Sequence, residues 1–315
     1  MAENNEVYML QAAKISLFGN IFLFLVKTAT LFIINSLAIL TDLGISLVGL
    51  IISIILYHAV KVSNKPADVL YNYGYGKIEN ICEAMEGIAL TGLGLFMIVQ
   101  AITNLFDHPM RHQILSVGLI CSIISVLVNL FGAHFIIKLG EKSKSPAIKA
   151  EGLHYKLEGY ISLAIAISFV IVLFLRFFKL EHLDFYVDSL ATIIASVMIL
   201  IPSFHLAKEA FFKLLDSSIE EQGQMGILKM LSSYTDKFCD FKDIKTRCAG
   251  RKHFVEFKLV MPHDIPIAAG HKIISDIEKD IKADIQDCEV IIKMEPCDMD
   301  CVYEKNSLVC PYKNN

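Results

Sequence analysis

Charge is scarce in this chain. Asp, Glu, Lys and Arg make up only 20% of the 315 residues, against 54% hydrophobic, and the mean hydropathy of +0.53 is too high for an ordinary soluble protein of this size. The bilayer is the solvent that such a composition fits. An excess of one sign is missing too: the net charge of −4 offers no footprint for nucleic acid. Residues 1–11 carry Glu3 and Glu6 but neither a basic leader nor a small-residue cleavage site, so the first apolar run is expected to stay in the membrane. A disulfide framework is also lacking. Of eight cysteines, Cys82 and Cys121 fall in apolar segments and six lie beyond residue 238, a distribution that suits reduced thiols in a cytosolic tail.

What the chain does have is long apolar runs. A membrane-crossing helix needs about 20 mostly apolar residues, and six stretches qualify, roughly 15–34, 37–60, 81–105, 114–137, 150–175 and 184–206. Six crossings put both termini on one side. The loops after the second and fourth runs carry Lys61, Lys65, Lys77, Lys138, Lys142, Lys144 and Lys149, whereas the opposite loops carry Arg111, Arg176 and Lys179, so the termini are expected in the cytosol. Beyond Leu206 the pattern changes. A helix near 219–234, a run through 241–248, period-two alternation from His253 to Met261, an amphipathic helix over 266–283 and a strand over 288–294 give the order α-β-β-α-β. The expected fold is an all-α membrane domain of six helices over 1–210, a small cytosolic α+β domain over 211–296, and a Cys-bearing tail over 297–315.

Ionisable residues within apolar runs are costly, and each is a candidate site. Asp42, His154, Glu158 and Asp188 stand out. His154 and Glu158 are four apart, on one helix face, within reach of one cation. With Asp42 as a third ligand, one nitrogen and carboxylate oxygens suit Zn, Fe(II), Mn(II) or Co(II) rather than monovalent copper; a hydrogen bond between helices is the structural alternative. Glu79, Glu83 and Glu86 recur at helical spacing at the start of the third run. They form either an acidic stripe that gathers cations at an entrance or a solvated face. Lys27 is expected to snorkel or to pair with a carboxylate, and Asp188 is either a helix N-terminal carboxylate or a ligand. In the tail, Cys297, Cys301 and Cys310 lie among Glu295, Asp298 and Asp300, able to hold a borderline metal or to be plain reduced thiols. His253, His263 and His271 are open in the same way.

Ser36-Leu37-Ala38-Ile39-Leu40-Thr41-Asp42, Lys65-Pro66-Ala67-Asp68, Tyr73-Gly74-Tyr75-Gly76-Lys77-Ile78-Glu79, Ser145-Pro146-Ala147, Leu153-His154-Tyr155 and Leu214-Leu215-Asp216 together resemble the cation diffusion facilitator family of divalent-metal exporters, over about residues 10–296. The wording around residues 63–68 and 215–218 looks nearest to its magnetosome-type, iron- and manganese-leaning branch. The resemblance implies a metallochaperone-like cytosolic domain, metal ligation at His154 and Glu158 with Asp42 nearby, further metal positions at Asp68 in a loop and at His271 in the tail, and an interlock of a homodimer through Lys77 and Asp216. It also exposes departures. The second-run positions that hold His or Asp in relatives are Ile45 and Gly49, loop positions often His are Tyr71 and Tyr75, and Lys293 replaces a His before the final Glu-Pro.

The resemblance implies a multi-pass protein of the plasma (inner) membrane of a prokaryote, surrounded by lipid. It would need no resident cofactor, and would exchange a divalent cation for protons by alternating access. Proton coupling would follow from His154, because an ordinary imidazole pKa of about 6.5 lets metal and proton compete near neutral pH. A transport-silent member acting as partner subunit, scaffold or metal sensor is the rival that Ile45 and Gly49 favour. An enzyme is not expected, because no nucleophile-base pair or phosphate-cradling loop precedes a suitable helix.

Overall fold

The computed structural model describes residues 2–33, 37–107, 115–179, 183–285 and 287–297. The chain divides into two compact units, the division falling between Phe211 and Phe212 in the sequence. The first contains α1 (Ala2–Ile33), α2 (Leu37–Ser63), α3 (Lys77–Asp107), α4 (Leu115–Ser143), α5 (Pro146–Phe177) and most of α6 (Asp184–Leu214). Each of these six holds a stretch long and apolar enough to cross a membrane. Helices are the natural outcome, since in lipid the backbone must satisfy its polar groups within the segment.

Hydropathy places the starts of three of these helices too late. The first begins at Ala2 rather than near 15, because Met9, Ala12 and Ala13 pack with Leu56, Val60, Ile136, Ile148 and Tyr155 into one core. Likewise α3 begins at Lys77 and α5 at Pro146. The first turn of α3 carries Glu79, which is buried against the Ser145 hydroxyl and so lets that helix start before its apolar run, whereas in α5 the buried Glu151 lies in the second turn against Ser16. Ser145 caps α5: its backbone is extended, its Oγ accepts from the Ile148 N–H at 3.4 Å, and Pro146 supplies a first residue with no N–H to satisfy.

Small residues bring these helices close. A Cβ at Gly87 of α3 would sit 2.5 Å from the backbone nitrogen of Ala207 in α6. Cβ atoms at Gly19 of α1 and Gly132 of α4 would strike the Tyr155 ring or hydroxyl at 2.6 and 2.7 Å, so this large buried side chain lies between two bare backbones. Its hydroxyl donates to the Ser16 carbonyl at 2.6 Å.

The second unit runs α7 (Glu221–Ser232), β1 (Asp240–Ala249), β2 (Lys252–Met261), α8 (Ile267–Asp284) and β3 (Cys288–Pro296). The sheet order is β1-β2-β3, with β1 antiparallel and β3 parallel to β2. A parallel neighbour needs a crossover, and α8 supplies it. Its buried Ile274, Ile277 and Ile281 recur at helical spacing. With Val255, Phe257, Leu259 and Met261 of β2 they make the core that the period-two pattern anticipates. On the other face of β2, Phe254 is covered by the Arg247 guanidinium 4.2 Å from its ring centre. The pairing of β1 shifts between Lys242 and Lys245, a bulge in that outer strand.

Candidate metal centre

Four helices of the first unit meet around His154. In α5, Glu151, His154 and Glu158 follow one another at spacings of three and four, which places them on one face, and all three are buried. In α1, Ser16, Asn20, Leu23, Lys27 and Thr30 form a buried stripe of the same periodicity. From α3 comes Glu86, fully buried.

The imidazole has two dissimilar sides. Its Nδ1 lies 3.4 Å from Glu86 Oε1, and its Nε2 lies 3.9 Å from Glu158 Oε2. Glu158 Oε1 is 3.7 Å from Lys27 Nζ, with both side chains almost wholly removed from solvent. Also on the Nε2 side is Gly49 of α2, where a Cβ would stand 3.5 Å from that nitrogen. The Gly49 carbonyl accepts from Asn20 Nδ2 at 3.2 Å. Ser16 Oγ donates to Glu151 Oε1. One ligand atom from each of Glu86, Glu151 and His154 can be chosen so that all lie within 4.8 Å of one another. Both oxygens of Glu86, Oε2 of Glu151, Nδ1 of His154 and Oε2 of Glu158 are buried without a hydrogen bond.

Buried polar atoms without hydrogen bonds are rare in proteins, and an ion is a standard reason for them. An imidazole and carboxylates at this spacing can exchange protons for a divalent cation, because the ligating forms are neutral imidazole and ionised carboxylate.

The residues expected from sequence are distributed as follows. His154 and Glu158 are together. The side chain of Asp42, in α2, lies outside the described ones, as does that of Asp188. The glutamate stripe of α3 is corrected: Glu79, Glu83 and Glu86 are 1%, 3% and 0% exposed, so they form no solvated face. They also part company. Glu79 accepts from Ser145 Oγ at 2.5 Å, at the start of α5, and Glu83 accepts from Asn80 Nδ2 at 3.4 Å, while Glu86 turns to His154. Lys27 pairs with a carboxylate, one of its two expected fates.

Asp68 closes a turn. Its Oδ1 accepts from the Leu70 and Tyr71 N–H groups at 2.9 and 2.8 Å, and its Oδ2 from the Tyr75 hydroxyl at 2.6 Å. The Tyr75 bond holds the Asp68 carboxyl below its ordinary pKa and pushes Tyr75 up to about 12. Lys77 is half-buried at the first residue of α3. In the second unit, Asp216 has a left-handed backbone and lies 3.5 Å from Arg247 Nη1. His271 is exposed on α8, Glu295 faces Lys258 at 3.1 Å, and the Cys297 N–H donates to the Met261 carbonyl at 2.8 Å. Among the described residues these tail positions form no metal-ligating group of three. Cys301 and Cys310 lie outside the described residues.

Residues 13–215 match the Cation efflux transmembrane domain family, and residues 219–297 match the Cation efflux protein, cytoplasmic domain. The chain belongs to the cation efflux family. Among its relatives, the cation-efflux pump FieF of Cronobacter sakazakii is 26% identical over 87% of this chain and 88% of its own. FieF of Escherichia fergusonii is 25% identical over 82% and 80%. Among solved structures, the Zn form of CzrB matches 26% of this chain and 92% of its own at 26% identity, with a TM-score of 0.25. The buried carboxylate and imidazole atoms around His154 that lack hydrogen bonds lie within the part of the chain that matches the transmembrane domain family.

Glu151 is the member of this centre that sequence reasoning missed. The signal was present as the spacing 151, 154, 158, but a run taken to start at 150 leaves Glu151 looking like an end-of-helix charge. Ser16 and Asn20 carried no signal beyond polarity within an apolar run.

Proposed function

We propose that the chain exports a divalent first-row metal ion from the cytosol in exchange for protons, by alternating access at a site centred on His154. The observation that carries this reading is the set of buried carboxylate and imidazole atoms without hydrogen bonds inside the membrane domain of a cation efflux protein. Such atoms tolerate a bound cation or bound protons in turn, which is what an exchanger requires. The named relatives, cation-efflux pumps, support the direction. The lysine bias of the loops supports cytosolic termini in a bacterial inner membrane. The match of residues 219–297 to the cytoplasmic domain supports a homodimer with domain limits near 210 and 296, Lys77 and Asp216 serving the interlock.

The test is flux in proteoliposomes carrying the purified protein, with an internal pH dye and a panel of Zn, Fe(II), Mn, Co and Cd. Cation-driven proton movement with at least one metal is expected. The absence of a second-span ligand at Gly49 favours a second reading, a transport-silent family member acting as partner or sensor. Metal binding without flux for any metal on the panel would establish that reading instead.

A further inference from the structure

We infer that the transported cation is held on the Nδ1 side of His154, by Glu86 of α3 and Glu151 and His154 of α5, and that Lys27 occupies the opposite side as a built-in countercharge to Glu158. This rests on the transport reading and assigns its ligands.

The first argument is geometric. The three ligand atoms already lie within 4.8 Å of one another. An ion about 2.1 Å from each ligand holds them at most about 4.2 Å apart, so rotation of the side chains closes the remaining few tenths of an ångström. Ser16, by donating to Glu151 Oε1, leaves Oε2 of that carboxylate as the atom without a hydrogen bond. Glu86 keeps both of its oxygens in that state. The donor set is therefore one imidazole nitrogen and two or three carboxylate oxygens.

The second argument is charge balance. Buried charge is tolerated when it is paired. Glu158 is matched by Lys27 at 3.7 Å, leaving two carboxylates, Glu86 and Glu151, for a dication. Each group is then neutral by itself. Gly49 fits the same scheme, because a carboxylate there would add unbalanced charge on the side that Lys27 already neutralises. A third-span glutamate and the first glutamate of α5 thus take over from the missing second-span pair. Oxygen-rich ligation of this kind accepts Mn(II), Fe(II), Co(II) and Zn(II), and discriminates against Cu(I).

The experiment measures Mn(II) binding to the detergent-purified full-length protein by the electron paramagnetic resonance signal of the free ion. Glu86→Gln and Glu151→Gln are each expected to weaken Mn(II) binding more than tenfold. The double variant Lys27→Met/Glu158→Gln removes an ammonium and a carboxylate together and is expected to stay within about threefold of wild type, since a buried ion pair is often replaceable by neutral groups. Wild-type affinity in both glutamine variants overturns the assignment, as does a more than tenfold loss in the double variant or no binding by the wild type at millimolar Mn(II). Should a glutamine variant fail to elute as a folded species, Glu86→Asp and Glu151→Asp keep the charge and shift the oxygens; unchanged affinity in both overturns the assignment equally. Flux is measured in parallel. Mn(II) binding lost in Glu86→Gln with no wild-type flux leaves the site and removes the transporter, whereas wild-type flux retained in Glu86→Gln leaves the transporter and removes the site.

Discussion

Lys27 and Lys258 each meet carboxylates, in two different worlds. In the helical unit Lys27 is 1% exposed and 3.7 Å from Glu158. In the α/β unit the Lys258 side chain is 34% exposed, 2.9 Å from Asp243 and 3.1 Å from Glu295. The second geometry is the tighter, yet the first carries more consequence. Water stands ready to replace either partner of Lys258, and salt screens the pair. Lys27 and Glu158 are almost wholly removed from solvent, so separating them leaves charge in a bundle where water cannot readily replace either partner. The difference teaches that contact geometry is a poor guide to consequence here: the close contacts of Lys258 lie at the surface, while the atoms around His154 that lack hydrogen bonds are buried.

That contrast can be broken most severely at His154. Removing the imidazole in His154→Ala takes away the nitrogen donor of the proposed ligand set, and cation flux in proteoliposomes should fall well beyond the tenfold that about 1.4 kcal/mol represents. A His154→Ala variant with wild-type flux would show the cluster to be structural.

Next in size is Lys27→Met alone. It strands Glu158 without its ammonium, and the expected loss is on the order of 3–5 kcal/mol in stability, read as a fall in the melting temperature of the detergent-purified protein. Adding Glu158→Gln should restore most of that loss. An unchanged melting temperature in the single variant would mean that the pair is not buried as described.

Gly87→Ala should come third. Its methyl group would lie 2.5 Å from the Ala207 nitrogen, so α3 and α6 must move apart, at roughly 1–3 kcal/mol as overpacking usually costs. Thermal melting in detergent checks this as well.

The smallest effect belongs to the exposed pair. Its hydrogen bond to Lys258 holds the Asp243 carboxyl below its ordinary value, and the same bond raises Lys258. A carboxylate lowered in the folded state stabilises above its unfolded pKa of about 4 and loses that contribution as pH falls through the folded value. Lys258→Met should therefore leave melting near pH 7 and 0.15 M salt unchanged within error, and any difference from wild type at low salt should shrink as the pH falls below about 4 and vanish once it has passed below the lowered Asp243 value. A large shift at neutral pH would place this pair on the same footing as Lys27 and Glu158.

Much of this was legible beforehand, and the illegible part has a physical cause. Six apolar runs read directly as helices, and the alternation from His253 to Met261 read as β2 because a half-buried strand must alternate. His154 and Glu158 stood out against their apolar neighbours. The position of Glu86 against His154 did not, because the sequence of α3 does not reveal which face meets protein and which meets lipid. Glu79, Glu83 and Glu86 therefore looked equivalent, although one serves the start of α5, one a neighbouring asparagine and one the imidazole. Lys27 was readable as a lysine needing a partner but not as the partner of Glu158, since that meeting is made by tertiary packing of α1 against α5.

The displaced register in β1 bears on how the α/β unit behaves when crowded. A three-stranded sheet has two outer strands, each offering unpaired N–H and carbonyl groups to any other chain with a matching strand. In β1 the offset falls between Lys242 and Lys245, so the ladder is interrupted in the middle of the strand. Strand-on-strand accretion from this rim meets an irregular backbone. A protein concentrated in the plane of a membrane, with many copies of this unit side by side, is thereby protected on that rim from amyloid-like polymerisation.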